Sequence, residues 1–366
     1  MESLRIIIAG GGTGGHIFPA VAIAHALRRI NPGVRLLFVG AKGKMEMEKV
    51  PQEGFEIIGL DIAGFNRSNL LKNITLPFKL LKSWFQARKI VREFRPDAVV
   101  GVGGYASFPV LNAAQSMGIP TLIQEQNSYA GKTNKILGEK AKAICVAYEH
   151  MERFFPRERI FLTGNPVRKS IASSTLSRAD GQRWLGMDST KPTVLVVGGS
   201  LGAKSINEAI AAHMDELEQM GVQLIWQTGK VFYQQALEVA RNRSQVKVFE
   251  FIKEMDRAYA AADVVISRAG ALAIAELCIV AKPVIFVPYP FAAEDHQTSN
   301  AMALVEHNAA EMVTDSNAKL ELVKKLKALL HDQVAQEMMV RNLKARAIKD
   351  ADVRIASKVI DIAKKK

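Results

Sequence analysis

Short apolar runs alternate with stretches of helical period along the first 146 residues. Ile6-Ile7-Ile8-Ala9 leads into Gly10-Gly11-Gly12-Thr13-Gly14-Gly15, after which Val21, Ile23, Ala24 and Leu27 mark a helix over about 18–30. An apolar run without polar alternation is a strand covered on both faces, as in a parallel sheet. The same reading gives strands at 5–9, 35–39, 56–60, 98–102, 121–123 and 143–146, with helices near 44–52, 109–117 and 132–137. Regular alternation of this kind predicts a parallel sheet with helices on both faces.

The second half opens in the same way. A strand at 193–197 meets Gly198-Gly199-Ser200-Leu201-Gly202-Ala203 and a helix over 205–220, and further strands fall at 223–227, 246–249, 264–267 and 284–287. Between the halves, Gly164 and Pro166 break the periodicity, and Pro166 forces Asn165 out of helical geometry. The organisation expected is a first domain over 1–163, a second over 164–340 and a terminal helical segment over 341–366 that can return to the first domain. The fold class is α/β, two Rossmann-like domains whose parallel sheets face a central cleft, the GT-B arrangement of nucleotide-sugar transferases.

At 366 residues, 48% hydrophobic and 23% charged, the chain has the material for two ordinary globular cores. The N-terminus enters a strand directly, without a secretory signal, and no apolar run reaches the ~18 residues of a spanning helix, so a cytoplasmic origin is expected. Cys145 and Cys278 lack metal or redox spacing and read as reduced core residues. The net charge of +13, from 49 basic and 36 acidic residues, points to an anionic partner. Its distribution narrows the choice. Over 64–95, Arg67, Lys72, Lys79, Lys82, Arg88, Lys89, Arg92 and Arg95 face a single acid, Glu93, and are interleaved with Leu70, Leu71, Ile74, Leu76, Phe78, Leu80, Leu81, Trp84 and Phe85. Large apolar groups among cations suit an anionic phospholipid surface rather than nucleic acid. From Pro77 onward, Leu80, Leu81, Trp84, Ala87, Val91 and Phe94 recur at helical spacing, and part of that stripe must pack on the sheet.

The glycine turn after the first strand lets a ligand approach the backbone and presents amide N–H groups at a helix start, so phosphate is the expected guest. Gly10, Gly12 and Gly15 fit the dinucleotide spacing, but the second strand ends in Gly40-Ala41-Lys42 without the acid that would hold a nicotinamide ribose. A second diphosphate site is expected at Ser267-Arg268-Ala269-Gly270-Ala271-Leu272-Ala273, where a strand opens into a helix, with Glu276 placed for ribose hydroxyls. Asp350-Ala351-Asp352 lies in a charged helix, away from any strand end, and reads as surface rather than metal ligands. No metal or other cofactor is expected.

These motifs carry a family resemblance. Gly11-Gly12-Thr13-Gly14-Gly15-His16-Ile17-Phe18-Pro19, Gly103-Gly104-Tyr105-Ala106-Ser107, Glu125-Gln126-Asn127, Gly164-Asn165-Pro166-Val167-Arg168, the 198–203 turn, Arg268-Ala269-Gly270-Ala271-Leu272 and Glu294-Asp295-His296-Gln297 occur in the order found in the MurG family, and the chain resembles that family throughout its length. The resemblance implies an inverting transfer of GlcNAc from UDP-GlcNAc to undecaprenyl-pyrophosphoryl-MurNAc-pentapeptide (lipid I), giving lipid II for the cell wall. It implies an enzyme peripheral to the cytoplasmic side of the cell membrane, with cell-wall synthesis proteins as candidate partners. It assigns UDP-GlcNAc to Thr13, Gly14, Gly15, Asn127, Arg168, Ser200, Ile252, Ala271, Leu272, Glu276 and Gln297, and the acceptor diphosphate to Gly103, Gly104 and Tyr105 with Gly14 and Gly15. Ala273 and Ala275 stand where the family commonly has Thr and Ser, which removes a hydroxyl worth about 1 kcal/mol toward phosphate. His16 is the candidate base, since histidine titrates near working pH; Glu125 is the alternative base or its electrostatic partner. Another GT-B transferase, a nicotinamide oxidoreductase and a non-catalytic nucleotide sensor are the competing readings.

Overall fold

The computed structural model describes residues 3–62, 76–199 and 201–364. The chain divides into two compact units, Met1–Val167 with Asp350–Lys366 and Arg168–Lys349, where the sequence suggests breaks after 163 and 340.

In the first unit, strands β1 (Arg5–Ala9), β2 (Arg35–Ala41), β3 (Ile57–Leu60), β4 (Ala98–Gly101), β5 (Thr121–Glu125), β6 (Ala143–Val146) and β7 (Ile160–Leu162) form one sheet in the order β3-β2-β1-β4-β5-β6-β7. Every pairing is parallel, Ile7 lying against Leu37 on one side and Val99 on the other. Both faces are covered by helices, so Ile6, Ile7, Ile8, Val99 and Val100 are fully buried, the physical origin of the unalternated apolar runs. The helices are α1 (Gly14–Ile30), α2 (Glu46–Gln52), α3 (Leu76–Phe94), α4 (Ser107–Ser116) and α5 (Lys132–Gly138). Strand order reverses direction between β1 and β4, and the turns that follow these two strands flank the crevice where open α/β sheets bind ligands.

Helix α1 begins at Gly14 rather than near 18. The Thr13 carbonyl accepts from the amides of both His16 and Ile17 at 3.1 Å, which draws the two glycines into the first turn despite their weak propensity. On α3, Ser83, Ala87 and Val91 are buried and Trp84 is half-buried, donating its indole N–H to Asn112 Oδ1 at 3.0 Å. Leu70, Leu71, Ile74, Arg67 and Lys72, which the sequence places in the loop before this helix, lie outside the described residues.

The second unit repeats the plan with β8 (Thr193–Val197), β9 (Gln223–Gln227), β10 (Val246–Phe249), β11 (Val264–Ser267), β12 (Val284–Phe286) and β13 (Glu311–Met312), in the order β10-β9-β8-β11-β12-β13 and again parallel. Its helices are α6 (Lys169–Ala172), α7 (Arg178–Leu185), α8 (Lys204–Ala212), α9 (Met214–Gln219), α10 (Tyr233–Val239), α11 (Met255–Ala261), α12 (Ala271–Val280), α13 (His296–Val305), α14 (Ala318–His331) and α15 (Gln333–Ala345). The single helix expected over 205–220 is two, broken at His213, whose φ of −114° and ψ of 21° leave helical geometry. Its ring Nε2 donates to the Lys319 carbonyl at 2.8 Å, which ties the break to α14. The polar stretch around 169–191 is not a loose link: Arg178 grips Asp263 through two N–H···O bonds of 2.7 and 2.8 Å and also donates to the Ser189 and Lys191 carbonyls.

The last helix, α16 (Ala351–Lys364), belongs to the first unit. Ile355, Ala356, Val359, Ile362 and Ala363 recur on one helical face and join Ile23, Leu27 and Val100 in a single apolar cluster. Asp352 pairs with Arg29 of α1 at 2.5 Å and Asp350 with Arg354 at 2.9 Å, so this acidic pair serves the helix surface.

Candidate functional site

The turn after β1 and the turn after β4 are locked together in the first unit. Gly11 N–H donates to the Gly103 carbonyl at 3.3 Å, and Ser107 Oγ donates to both the Gly103 and Ala9 carbonyls at 2.8 and 3.0 Å. Gly104 has φ +84°, and a Cβ there would sit on the Gly11 carbonyl oxygen; only glycine permits that approach. Thr13, the α1 residues Gly14, Gly15 and His16, and Gly103, Gly104 and the exposed Tyr105 therefore lie together at the switch point, on two adjoining turns and the helix start that follows the first. The His16 ring packs against Gly103, and its Nδ1 lies 3.1 Å from the Gly11 carbonyl and 3.3 Å from Thr13 Oγ1. A carbonyl only accepts, so Nδ1 carries the proton and the basic lone pair of the neutral ring is on Nε2.

One sequence expectation changes here. Gly12 N–H, one of the turn amides expected to face phosphate, already donates to Glu46 Oε2 at 2.8 Å, while Glu46 Oε1 accepts from Ala41 N–H at 3.0 Å. Glu46 is 1% exposed. An acid does stand at the end of the second strand after all, but it arrives from the start of α2 and is turned inward on the backbone.

Glu125, at the tip of β5, is buried and accepts four bonds: from Asn127 N–H at 3.0 Å, Asn127 Nδ2 at 3.3 Å, Gly131 N–H at 3.1 Å and Asn134 Nδ2 at 2.8 Å. Burial pushes its carboxyl above the usual carboxylate range, against the pull of those donors. Both oxygens tie the 127–131 loop and the start of α5 to the tip of β5, and Asn127 is fixed by them.

In the second unit, the turn after β8 closes with Gly202 N–H on the Gly199 carbonyl at 3.0 Å. At Gly202, φ is +80° and a Cβ would meet the Thr228 carbonyl. Ser200 lies outside the described residues. Gln227, 2% exposed, bridges this turn to the next: its Nε2 donates to the Gly199 carbonyl at 3.0 Å and its Oε1 accepts from Ile252 N–H at 3.1 Å. Helix α12 starts behind Gly270, with Ala271 and Leu272 in its first turn and no acid there to oppose an anion. Further along the same helix, Glu276 is clamped by Arg168, Nε to Oε1 at 2.8 Å and Nη2 to Oε2 at 2.9 Å, and Tyr259 donates to Oε2 at 3.3 Å. Burial first, then the neighbouring Glu276 charge, pushes the Tyr259 phenol well above its ordinary value, so it stays a donor. Burial opposes the charge on Arg168, but the Glu276 pair outweighs it and holds the guanidinium above its usual range. Gln297 Oε1 accepts from Tyr289 N–H at 3.0 Å. Arg268 is a brace: it donates to the Val287 and Pro288 carbonyls and to Asp315 and Ser205.

Glu46, Gln227 and Tyr259 are the members of these networks that sequence reasoning misses. None of the three belongs to a motif the sequence shows, and only the fold reveals its partners. Cys145 and Cys278 are buried, which pushes both thiols up to about 12 and leaves them unreactive. Among the described residues no cluster of His, Cys, Asp and Glu is arranged to hold a metal, and no helix is long and apolar enough to cross a membrane.

Two parallel α/β sheets, each opening on a glycine turn at its switch point, define the class, a GT-B glycosyltransferase. The model of the glycosyltransferase family 28 N-terminal domain matches residues 6–146, and that of the family 28 C-terminal domain matches residues 193–355. The crystal structure of Acinetobacter baumannii MurG superposes with a TM-score of 0.82 at 30% identity, covering 98% of this chain and 99% of that one. A protein of Cytophaga hutchinsonii is 53% identical over 98% of this chain and 96% of its own length, and one of Phocaeicola vulgatus is 51% identical over 100% and 98%. Both bear the name UDP-N-acetylglucosamine--N-acetylmuramyl-(pentapeptide) pyrophosphoryl-undecaprenol N-acetylglucosamine transferase. The chain belongs to the MurG family of family 28 glycosyltransferases.

Proposed function

We propose that this chain transfers GlcNAc from UDP-GlcNAc to the MurNAc 4-hydroxyl of undecaprenyl-pyrophosphoryl-MurNAc-pentapeptide, converting lipid I to lipid II. The observation that carries the reading is the near-full-length identity of about half to relatives bearing that name. The two prepared turns at the switch points supply its physical basis. In the second unit, Glu276, held by Arg168 and Tyr259, would read the ribose hydroxyls. Ile252, its N–H engaged by Gln227, would meet uracil through its carbonyl. The amides of Ala271 and Leu272 would take the diphosphate at the helix start, where charge grows as UDP departs. Ser200 and Gln297 complete the donor set by resemblance.

In the first unit, His16 Nε2 would take the acceptor hydroxyl proton as the new glycosidic bond forms and the bond to UDP breaks in one displacement. Gly14, Gly15, Gly103, Gly104 and Tyr105 would receive the acceptor, and Thr13 and Asn127 the sugar. Glu125, whose oxygens are spent on the 127–131 loop and on Asn134 of α5, acts by holding Asn127 rather than as the base. The acceptor is a membrane lipid, so the enzyme works as a peripheral protein at an anionic surface, and α3 offers the face for it: Phe78, Leu81 and Phe85 are exposed at 76%, 58% and 59% beside Lys79, Lys82 and Lys89.

The test is incubation of labelled UDP-GlcNAc with a panel of lipid-linked acceptors. Transfer is expected to lipid I, with UDP-GalNAc poorly used. Comparable transfer to a different lipid-linked sugar would leave a GT-B transferase but remove this acceptor, and reduction of bound NAD without transfer would remove the class.

A further inference from the structure

The peptide unit between Gly11 and Gly12 stands between two functional groups. Its N–H, on Gly12, donates to Glu46 Oε2 at 2.8 Å, and its carbonyl, on Gly11, accepts from His16 Nδ1 at 3.1 Å. The neighbouring Gly11 N–H is fixed on the Gly103 carbonyl at 3.3 Å, so the unit cannot tilt freely. Glu46 is buried, its second oxygen accepts from Ala41 N–H at 3.0 Å, and a side chain on Gly11 or Gly40 would run into it. One backbone donor on each oxygen holds the carboxylate in a single orientation.

We propose that Glu46 is a positioning residue for His16, acting through this one peptide bond. An amide whose N–H is held by an anion is polarised, and its carbonyl becomes a stronger acceptor. The Gly11 oxygen then holds the Nδ1 proton more firmly, fixes the tautomer that puts the lone pair on Nε2, and stabilises the imidazolium formed once the acceptor proton has been taken. The role is that of the third group behind a general base, here one peptide removed from the ring. The inward-facing charge also makes the Gly12 position a poor place for phosphate, which leaves the turn suited to a cationic ring.

Other ionisable groups near this turn do not make the same connection. The turn after β4 carries Tyr105, which is exposed. The segment before α2 carries Lys42, paired with Asp61 at 2.7 Å, and Lys44; Glu48 and Lys49 on α2 bond to Gln52. Glu125 at the end of β5 is taken up by its own loop.

This inference rests on the reading of His16 as the base, and the test separates the two. Glu46→Gln keeps the volume and removes the charge. Histidine ring resonances of the ligand-free protein, with His16 assigned from its loss in His16→Gln, should titrate at a midpoint lower by about half a unit or more in Glu46→Gln, because the protonated ring has lost its distant anion. The acidic limb of the kcat profile should move to lower pH by a similar amount, with kcat on the plateau down about tenfold and UDP affinity unchanged. A folded Glu46→Gln protein whose His16 midpoint stays at the wild-type value overturns the proposal, even if kcat falls, since a merely structural role lowers turnover without moving the ring. If the variant does not fold, the wild-type Gly12 amide decides: its resonance should titrate with the His16 midpoint, and a flat response overturns the link. Full turnover in His16→Ala would remove the base assignment while leaving the ring measurement to judge Glu46.

Discussion

Arg168 and Glu276 form a forked pair, two parallel N–H···O bonds of 2.8 and 2.9 Å between the residue that opens the second unit and a carboxylate midway along α12. Glu276 is 8% exposed at its side chain while Arg168 is 43% exposed, so the acid is the buried partner and the arginine its cover. The carboxylate that the family resemblance gives to ribose is thereby oriented within the second unit alone. Planar bidentate geometry is specific to guanidinium. Arg168→Lys should raise the donor KM about tenfold with a smaller effect on kcat, and Tyr259→Phe, which removes one bond to the same oxygen, should raise it about threefold. Steady-state kinetics with varied UDP-GlcNAc check both, and an unchanged KM in Arg168→Lys would mean that Glu276 does not touch the donor.

The fold was legible because parallel strands are buried on both faces. Ile6-Ile7-Ile8 and Val264-Val265-Ile266 can be read as strands from composition alone, and the glycines after them mark the tight turns. Short elements escaped: β13 is Glu311–Met312, too brief for any period, and the break at His213 depends on the Lys319 carbonyl across the unit. The same division holds for the site. His16, Gly103 and Glu276 announce themselves by motif, whereas Glu46 is one of two acids in Lys44-Met45-Glu46-Met47-Glu48-Lys49, and which of them turns inward is fixed only by the place of α2 beside β2. Glu125 could be singled out as a second candidate base or partner of His16, but its bonds to the Gly131 amide and to Asn134 at the start of α5 depend on how that helix is set against the tip of β5.

Replacing His16 by Ala should lower kcat at least about a hundredfold with little change in UDP affinity, as loss of a general base typically does. The donor set described in the second unit does not include this ring. Single-turnover transfer and calorimetric UDP binding measure the two sides, and turnover near wild type would move the proton to another group.

Activity should persist in EDTA. The departing diphosphate is assigned to the start of α12, where Gly270 caps a helix without an acid in its first turn, and helix amides bind phosphate without a cation. Complete loss of transfer in EDTA, restored by magnesium, would show that the diphosphate is held differently.

The terminal helix should matter to the stability of the first unit. Ile355 is fully buried within the cluster that contains Ile23 and Leu27, and truncating such a side chain leaves a cavity. Ile355→Ala is expected to cost about 2–5 kcal/mol, read as a lower urea midpoint. A change under about 0.5 kcal/mol would mean that α16 adds little to that core.

Towards its end α3 packs Val91, Ile90 and Phe94 on the core, but in its first half the buried positions are the small Ser83 and Ala87 with a half-buried Trp84, while Phe78, Leu81 and Phe85 stand outward among lysines. Exposed aromatic and aliphatic groups of that size mark a surface that meets something. Lys82 also pairs with Asp61 at 3.0 Å, and Gln86 Nε2 donates to the same carboxylate at 2.8 Å, so the helix is pinned to the end of β3 with its outer face held in place. Apolar groups would enter the headgroup boundary while each cation adds about 1 kcal/mol near an anionic surface, screened within a Debye length. Binding to vesicles containing anionic lipid should therefore weaken as salt rises. The triple change Phe78→Ser, Leu81→Ser and Phe85→Ser should abolish vesicle binding and transfer to lipid I in membranes, while UDP binding and the unfolding midpoint stay near wild type, because none of the three side chains is in the core. Vesicle binding undiminished in that folded variant would place the membrane face on another part of the chain.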